Sequence, residues 1–262
     1  MTREEIIEEI ETNNQLQPLA TELLDVIGPR LVGSPEMQQA HDWVIDTYKI
    51  WNIKAENIAY GEWKAWQRGT TEVTLTAPRI KTIDAMQLAW NTNTKKPVEA
   101  EIITMPVFES KQDFENWTKT VKGKLILISQ YQKSGRPESQ WKEYATDEDF
   151  TTYKATKNTT VEKWNASIKA TGKTMREIVT YLESKGAVGF VQSFFTGTMG
   201  SNRIFYSFAK NTPMVDVSLE DYGLLHRLAS NGKTPKLKIN RGGHRPSLHR
   251  MNRDLSPPRF QR

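Results

Sequence analysis

The chain has no cysteine, only four histidines, and no long apolar run. The absence of cysteine excludes disulfide bonds and thiolate metal sites, and it is compatible with a reducing or an oxidising compartment. A membrane-spanning helix needs roughly 18 or more apolar residues in succession, and no such run occurs. The first residues lack the apolar core of a signal peptide, so we expect no leader in this chain.

The net charge of +5 is concentrated at one end of the 262-residue chain. Residues 241–262 carry six arginines and one aspartate, whereas residues 1–240 hold equal numbers of basic and acidic side chains. The basic isoelectric point therefore does not indicate a nucleic-acid-binding surface on the fold. Gly, Pro, Arg and His dominate residues 241–262, and the few large apolar side chains follow no period. This composition predicts a disordered basic tail.

The first third of the chain has the pattern of short helices followed by extended segments. Thr2 and Glu5 form a capping-box pattern in front of an isoleucine stripe. Ser34 and Pro35 supply an N-cap and a first-turn proline for a longer helix. The sequence predicts helices at 2–10, 16–27 and 35–51, strands at 55–60 and 72–77, and a loop-rich passage at 78–97.

The second half of the chain predicts an α/β core. Residues 122–129 and 186–192 are short apolar runs bounded by glycine, as expected of strands buried on both faces. Between them, residues 175–185 place their apolar side chains on one helical face. Further strands are predicted at 98–104, 213–217 and 237–239, and helices at 113–120 and 218–232, while the polar stretch 130–170 has no clear assignment.

The order of several short motifs resembles the N-terminal part of M28-type zinc peptidases, in the branch related to plasma glutamate carboxypeptidase (carboxypeptidase Q). The likeness covers about residues 15–240. Its opening part is Ile27-Gly28-Pro29-Arg30-Leu31-Val32-Gly33-Ser34-Pro35, with Trp43 in the following helix. The segment 98–240 resembles the protease-associated (PA) domain inserted in those enzymes, through Val121-Lys122-Gly123-Lys124, Lys185-Gly186-Ala187-Val188-Gly189, and Pro213–Ser218 with Asp221-Tyr222.

This resemblance implies a fragment of a metallopeptidase, with residues 1–85 as an incomplete peptidase lobe of α/β type and residues 86–240 as a PA-like domain. In the family, two zinc ions and a glutamate general base are bound or supplied by residues that follow the PA insert, beginning at an Ala-His-x-Asp strand end. Here the arginine-rich tail 241–262 stands at that position. We therefore expect no peptidase activity, assign no catalytic, cofactor-binding or metal-binding residue, and favour a frameshift after Ile239 or Asn240. The family is usually secreted or periplasmic, but the sequence leaves the localisation of this chain open.

Several other residues are of a type that binds metals, but each has a simpler interpretation. The segment Ala40-His41-Asp42-Trp43 resembles the metal motif but lies inside a helix, where a solvated face is the simpler interpretation. His226 is expected to be packed or exposed, and Asp147-Glu148-Asp149 to be a solvated acidic turn without calcium-loop spacing. A crude chelate of His244, His249 and Asp254 has no fold to preorganise it.

The remaining motifs are also weak. Trp63 and Trp66, with Lys64 and Arg68, form a possible stacking platform, but packing is the favoured interpretation. The loop around Gly197 and Gly200 lacks the lysine and helix context of a phosphate loop. Glycosylation sequons begin at Asn116, Asn158 and Asn165, and they matter only in a eukaryotic secretory route.

Two further hypotheses about function stay open at this stage. The PA-like domain could act as a stand-alone module that binds peptides or proteins, or the arginine tail could bind nucleic acid or an acidic surface in a salt-sensitive way. We also expect the helices of 1–85 to expose apolar faces that favour self-association.

Overall fold

The computed structural model describes residues 2–64, 66–91, 94, 96–133, 135–194, 206–241 and 248–252, with only the backbone described for 59–64, 241 and 248–252. The chain forms two compact units, Met1–Gln67 with His244–Arg262 (the N-terminal unit) and Arg68–Gly243 (the sheet unit). The α/β fold predicted from the sequence is confirmed. No helix among the described residues is long and apolar enough to cross a membrane.

The N-terminal unit is built from helices and one two-stranded ribbon. Thr2 closes the predicted capping box with Glu5, and the side chain of Ser34 accepts a hydrogen bond from the Met37 N–H. Its elements are α1 (Arg3–Thr12), α2 (Leu16–Ala20), a π-helical segment (Thr21–Val26), α3 (Pro35–Ile50) and β1 (Ala59–Lys64), which pairs antiparallel with a strand at Leu248–Asn252. That last strand lies inside the tail predicted to be disordered, so the prediction of disorder does not hold for these five residues.

The sheet unit contains one mixed sheet of eight strands. Its strands are β2 (Thr71–Ala77), β3 (Lys81–Ile83), β4 (Ala85–Gln87), β5 (Val98–Thr104), β6 (Leu125–Leu127), β7 (Gly189–Gln192), β8 (Met214–Val217) and β9 (Lys236–Arg241). The strand order is β3-β2-β9-β5-β6-β7-β8-β4, with β5 to β8 parallel and the other pairs antiparallel. The ribbon strand at Leu248–Asn252 is β10.

The two edge strands of this sheet are consecutive in the chain. Only Asp84 separates β3 from β4, so the sheet curls until its opposite edges approach each other. The Asp84 N–H donates to Asp221 Oδ2 at 2.8 Å, and the Ser218 N–H donates to the Asp84 carbonyl at 3.0 Å. Because β2, β3 and β4 pair with strands of this sheet, residues 68–85 belong to the sheet unit, although the sequence placed them in the first domain.

Helices pack on both faces of the sheet, and the helices described in this unit are α4 (Lys111–Trp117), α5 (Glu138–Tyr144), α6 (Asp147–Ala170), α7 (Met175–Ser184) and α8 (Leu219–Ser230). Of these, α5 has no buried residue. Alternate residues of β6 divide between two cores: Ile126 packs with α4 and α7, whereas Leu125 and Leu127 pack on the face covered by α8. Gly189 begins β7 where a Cβ would lie 2.8 Å from Leu125 Cδ2, so only glycine lets the neighbouring strand approach this closely.

The unassigned polar stretch 130–170 contains a helical hairpin, formed by α5 and α6. The rings of Trp141 and Tyr153 stack with centroids 4.5 Å apart, and Lys157 Nζ lies 3.1 Å from Glu138 Oε1. Only the last turns of α6 reach the core, where Trp164 and Ile168 pack beside α7. The hairpin is therefore held mainly by contacts of its own side chains.

Candidate functional site

Ligands of sheets with parallel strands generally bind at the carboxyl ends of those strands. In the sheet unit, this edge is formed by the residues that follow β6, β7 and β8, namely Ser129, Ser193 and Ser218. Ser129 and Ser193 are half-buried, whereas Ser218 is buried and caps α8. This edge is the candidate functional site.

Tyr222 fixes the end of β6. Its hydroxyl donates to the Ser129 carbonyl at 2.5 Å and accepts from the Ser129 N–H at 2.8 Å. The Ser129 hydroxyl in turn accepts a hydrogen bond from the Ser193 N–H at 3.0 Å, which ties the ends of β6 and β7 together. Burial raises the pKa of the Tyr222 hydroxyl well above its usual range. Tyr222 is therefore neutral, and its hydroxyl holds the backbone at the end of β6 to α8.

Asp216 fixes the end of β7. Its side chain is only 1% exposed, and its Oδ1 atom accepts hydrogen bonds from Gln192 Nε2 at 3.1 Å and from the Phe194 N–H at 3.0 Å. A buried carboxylate is tolerated when donors of this kind surround it. Asp216 thus orients the backbone that leaves the sheet at this edge.

His226 lies beside this edge, on α8. Its ring stacks on Tyr131 with a centroid distance of 4.4 Å and an interplanar angle of 13°, and its Nδ1 atom lies 3.4 Å from Ser230 Oγ. Burial lowers the pKa of His226, and the positive charge of Arg227 lowers it further. The sequence left open whether His226 is packed or exposed, and in the structure its ring is packed on Tyr131.

His41 and Asp42 do not converge on a common point. His41 is buried on α3, whereas Asp42 Oδ1 accepts hydrogen bonds from Gln38 Nε2 at 2.8 Å and from Asn57 Nδ2 at 3.3 Å. Consecutive residues of a helix point in directions about 100° apart, so the sequence motif does not become a chelating pair.

The acidic run 147–149 forms the first turn of α6, after Thr146 as N-cap. Carboxylates at a helix N-terminus are stabilised by the helix dipole, which accounts for this run without a metal. Trp66 is buried, as the packing interpretation expected. Arg68 Nη1 donates to Met86 Sδ at 2.8 Å, and burial lowers the pKa of Arg68.

Other candidates from the sequence fall wholly or partly outside the described residues. His244, Asp254, Gly197 and Gly200 are outside them, as are the side chains of Trp63, Lys64 and His249. The three sequon asparagines are exposed, Asn116 on α4 and Asn158 and Asn165 on α6. Within the part of the chain that the structure describes, no three His, Asp or Glu side chains are grouped so as to hold a metal ion.

Sequence reasoning missed the contacts that shape the candidate site. Ser129, Ser193 and Asp216 were visible as polar residues at or after the ends of apolar runs, and that position was the available signal. Their partners were not visible, because Tyr222 lies 93 residues from Ser129 in the chain and Gln192 lies 24 residues from Asp216.

The fold is similar to that of several solved peptidases. A crystal structure of a peptidase M28 precursor from Shewanella amazonensis matches with a TM-score of 0.57 and 16% identity, over 94% of this chain and 50% of the precursor. A zinc aminopeptidase from Bacillus subtilis gives 0.49 and 14% identity, over 86% and 42% of the two chains. An aminopeptidase from Aneurinibacillus sp. strain AM-1 gives 0.46 and 12%, over 88% and 45%. No family model and no curated protein sequence matches.

The likeness to the M28 precursor is one of fold, because the identity is only 16%. It extends over nearly the whole of this chain, and the chain spans about half the length of the precursor. The chain therefore has a peptidase-like α/β fold.

Proposed function

We propose that residues 1–262 are a non-catalytic part of an M28-like metallopeptidase, made of the opening part of the peptidase domain and a PA-like domain. The fold match over 94% of this chain and half of an M28 precursor carries this proposal. The order of the sequence motifs, from Gly28-Pro29-Arg30 to Asp221-Tyr222, supports the same assignment.

In this proposal, the two zinc ions and the general base of such an enzyme belong to a part not included in residues 1–262. Zinc that activates water needs several imidazole and carboxylate ligands converging on it. Of the described histidine side chains, His226 is stacked on Tyr131 and His41 is buried on α3. We derive no catalytic step for these residues.

An assay of the purified chain tests the proposal. Amino-acid and peptide anilides are incubated with the chain and zinc, with and without a chelator, beside an M28 aminopeptidase as positive control. We expect no chelator-sensitive hydrolysis above the background without protein. Zinc-dependent turnover that scales with the concentration of the chain and disappears in a His41→Ala variant would refute it, because the activity would then belong to these residues.

A second candidate function is a stand-alone module that binds peptides or proteins. The observation in its favour is the fixed polar edge at Ser129, Ser193 and Asp216, where backbone and side-chain groups are held rigidly. Amide shifts of the isotope-labelled chain, titrated with a peptide mixture, test this function. Saturable shifts confined to the ends of β6 to β8 favour it, and the absence of any saturable shift counts against it.

We also propose that residues 1–85 self-associate through exposed apolar faces. Leu16, Leu24 and Val26 expose more than half of their surface, which supports association through these apolar faces. Association of this type is strengthened by salt, which distinguishes it from binding through the arginine tail.

A further inference from the structure

The turn between α8 and β9 contains the only Asn-Gly pair in the sequence, Asn231-Gly232. Both residues are exposed. Asn231 is the C-cap of α8, and Gly232 follows it with a φ of +67°, a backbone conformation that glycine adopts without strain. The way in which α8 ends therefore places the residue with no side chain directly after an exposed asparagine.

Two backbone hydrogen bonds close this helix end. The Gly232 N–H donates to the Ala229 carbonyl at 3.2 Å, and the Lys233 N–H donates to the Leu228 carbonyl at 3.0 Å. These are the two hydrogen bonds of a Schellman motif, which satisfies the last carbonyls of a helix. The backbone nitrogen of Gly232 is therefore held against the helix while the motif is closed.

An asparagine in this position has a defined reaction with the next backbone nitrogen. The nitrogen of Gly232 bonds to Cγ of Asn231, the Cγ–Nδ2 bond breaks, and ammonia leaves with the proton that the Gly232 nitrogen gave up. Water then adds to either carbonyl of the resulting succinimide ring and opens it. One product is aspartate, and the other is isoaspartate, in which the backbone runs through Cβ and Cγ of residue 231. Glycine favours ring closure, because no Cβ crowds the attacking nitrogen.

We propose that Asn231 is the fastest site of spontaneous deamidation in the folded chain, and that the reaction occurs when the end of α8 opens. In the closed turn, the Gly232 N–H is hydrogen-bonded to Ala229, and Asn231 Nδ2 donates to the Arg227 carbonyl at 2.7 Å. Both groups that must react are thus held by the helix. Helix ends open at little cost in free energy, so the reaction proceeds in the folded chain, but more slowly than in an unstructured peptide.

Other exposed asparagines lack this combination. Asn52 also follows a helix end and has a φ of +58°, but the next residue is Ile53, whose β-branched side chain crowds the attacking nitrogen. Asn158 and Asn165 are exposed within α6, where the following residue is part of the same helix. These three asparagines are therefore internal controls for exposure without a glycine neighbour.

The isoaspartyl product should weaken the end of α8. It adds one methylene to the backbone between Leu228 and Lys233, so the two hydrogen bonds of the Schellman motif no longer fit together. It also leaves a carboxylate at the C-terminus of the helix, where the helix dipole disfavours negative charge. Leu228 packs against the core that α8 covers, and β9 begins at Lys236, so the damage lies between two parts of the sheet unit.

Mass spectrometry of the aged full-length chain tests the proposal. The chain is incubated in mildly alkaline buffer and digested with trypsin, which releases the fragment Leu228–Lys233 by cleavage after Arg227 and Lys233. We expect this fragment to gain one mass unit and to separate into aspartyl and isoaspartyl forms. Conversion should be at least fivefold faster than at Asn52, Asn158 or Asn165. Conversion at another asparagine that is as fast as at residue 231 would overturn the proposal.

A synthetic peptide with the sequence of residues 228–233 tests the role of the helix end. In the same buffer it should convert at least twofold faster than the same residues in the folded chain. Equal rates would show that the closed turn gives no protection, and no conversion in the folded chain over several half-lives of the peptide would show that the turn does not open. Either result contradicts the proposal.

Thermal unfolding separates the effect of the extra methylene from that of the charge. The midpoint should be highest for the fresh chain, lower for Asn231→Asp, which adds only the charge, and lowest for the isoaspartyl form of the aged chain. Asn231→Ser cannot form the succinimide, so its midpoint should not fall during the same incubation. An equal fall in Asn231→Ser would place the damage elsewhere in the chain and contradict the proposal.

Discussion

The two compact units differ in how much apolar surface they bury. In the N-terminal unit, the buried apolar side chains among the described residues are Ile27, Ala40 and Trp66. The sheet unit has two continuous cores, one on each face of its sheet, which include the buried rings of Phe114, Phe190 and Tyr222. Both units have well-capped helices, so the difference lies in packing and not in local structure.

This comparison shows that capping does not create a core. α1 and α7 each have a capping box, at Thr2 and at Thr174. Ile178, Val179 and Leu182 of α7 are buried against the sheet, whereas the apolar stripe of α1 is exposed. Because most helix stability in proteins comes from packing an apolar face, we expect the N-terminal unit to open far more easily.

Limited proteolysis should show the largest difference between the units. Segments that open at almost no free-energy cost are cut roughly a thousandfold faster than segments that open only with global unfolding. We expect early cleavage within residues 1–67 and a resistant fragment whose N-terminus lies before β2, identified by mass spectrometry. A fragment that instead starts near residue 98 would exclude β2 from the stable sheet, and a uniformly protected residue range 1–67 would contradict the comparison.

A matched pair of leucine substitutions should give the next largest effect. Leu182 on α7 is fully buried, so Leu182→Ala should lower the free energy of unfolding by about 2–5 kcal/mol. Leu24 is 58% exposed, and Leu24→Ala should change the free energy of unfolding by less than about 0.5 kcal/mol. Urea unfolding of both variants measures the difference. Similar losses in the two variants would show that the units are equally packed.

Removing the Tyr222 hydroxyl should have an intermediate effect. Tyr222→Phe leaves the N–H and carbonyl of Ser129 without this partner, which should lower the free energy of unfolding by about 1–3 kcal/mol. Tyr144→Phe is the control, because Tyr144 on α5 is exposed. Thermal unfolding measures both variants, and an equal shift of their midpoints would remove the role assigned to Tyr222 at the strand ends.

The pH dependence due to His226 should be the smallest effect. Its folded-state pKa lies below the unfolded value of about 6.5, so the unfolded state binds more protons as the pH falls. Stability should therefore decrease below about pH 6.5, where the unfolded histidine becomes charged before the folded one. His226→Phe keeps a ring against Tyr131 and should flatten the profile between about pH 5 and 7. An unchanged slope would assign the effect to another group.

The strands and helices with strong patterns were predicted from the sequence close to their final bounds. α7 begins after Thr174 and β6 lies within the predicted strand 122–129. β3 and β4 were missed inside the loop-rich passage 78–97, because three-residue strands carry too few residues to show an alternating pattern. The hairpin of α5 and α6 was missed because most of its surface is polar and its apolar stripe is interrupted by Lys157.

The candidate site was less predictable than the fold. The polar residues that follow β6, β7 and β8 could be read from the sequence, but the partners that orient them could not. Ser129 is held by Tyr222, and Asp84, between β3 and β4, is held by Asp221; both partners come from α8. Pairings across such distances follow from the path of the chain over the sheet, and no local pattern encodes them.

The sequence by itself determined the α/β class, the buried strands, the capped helices and the uneven charge, because these depend on neighbouring residues and on composition. Only the tertiary structure decided where the units divide, that β3 and β4 form the two edges of the sheet, and which apolar faces are buried. The reason is that burial depends on which two surfaces pack together, and the sequence of one surface does not indicate which other surface will cover it.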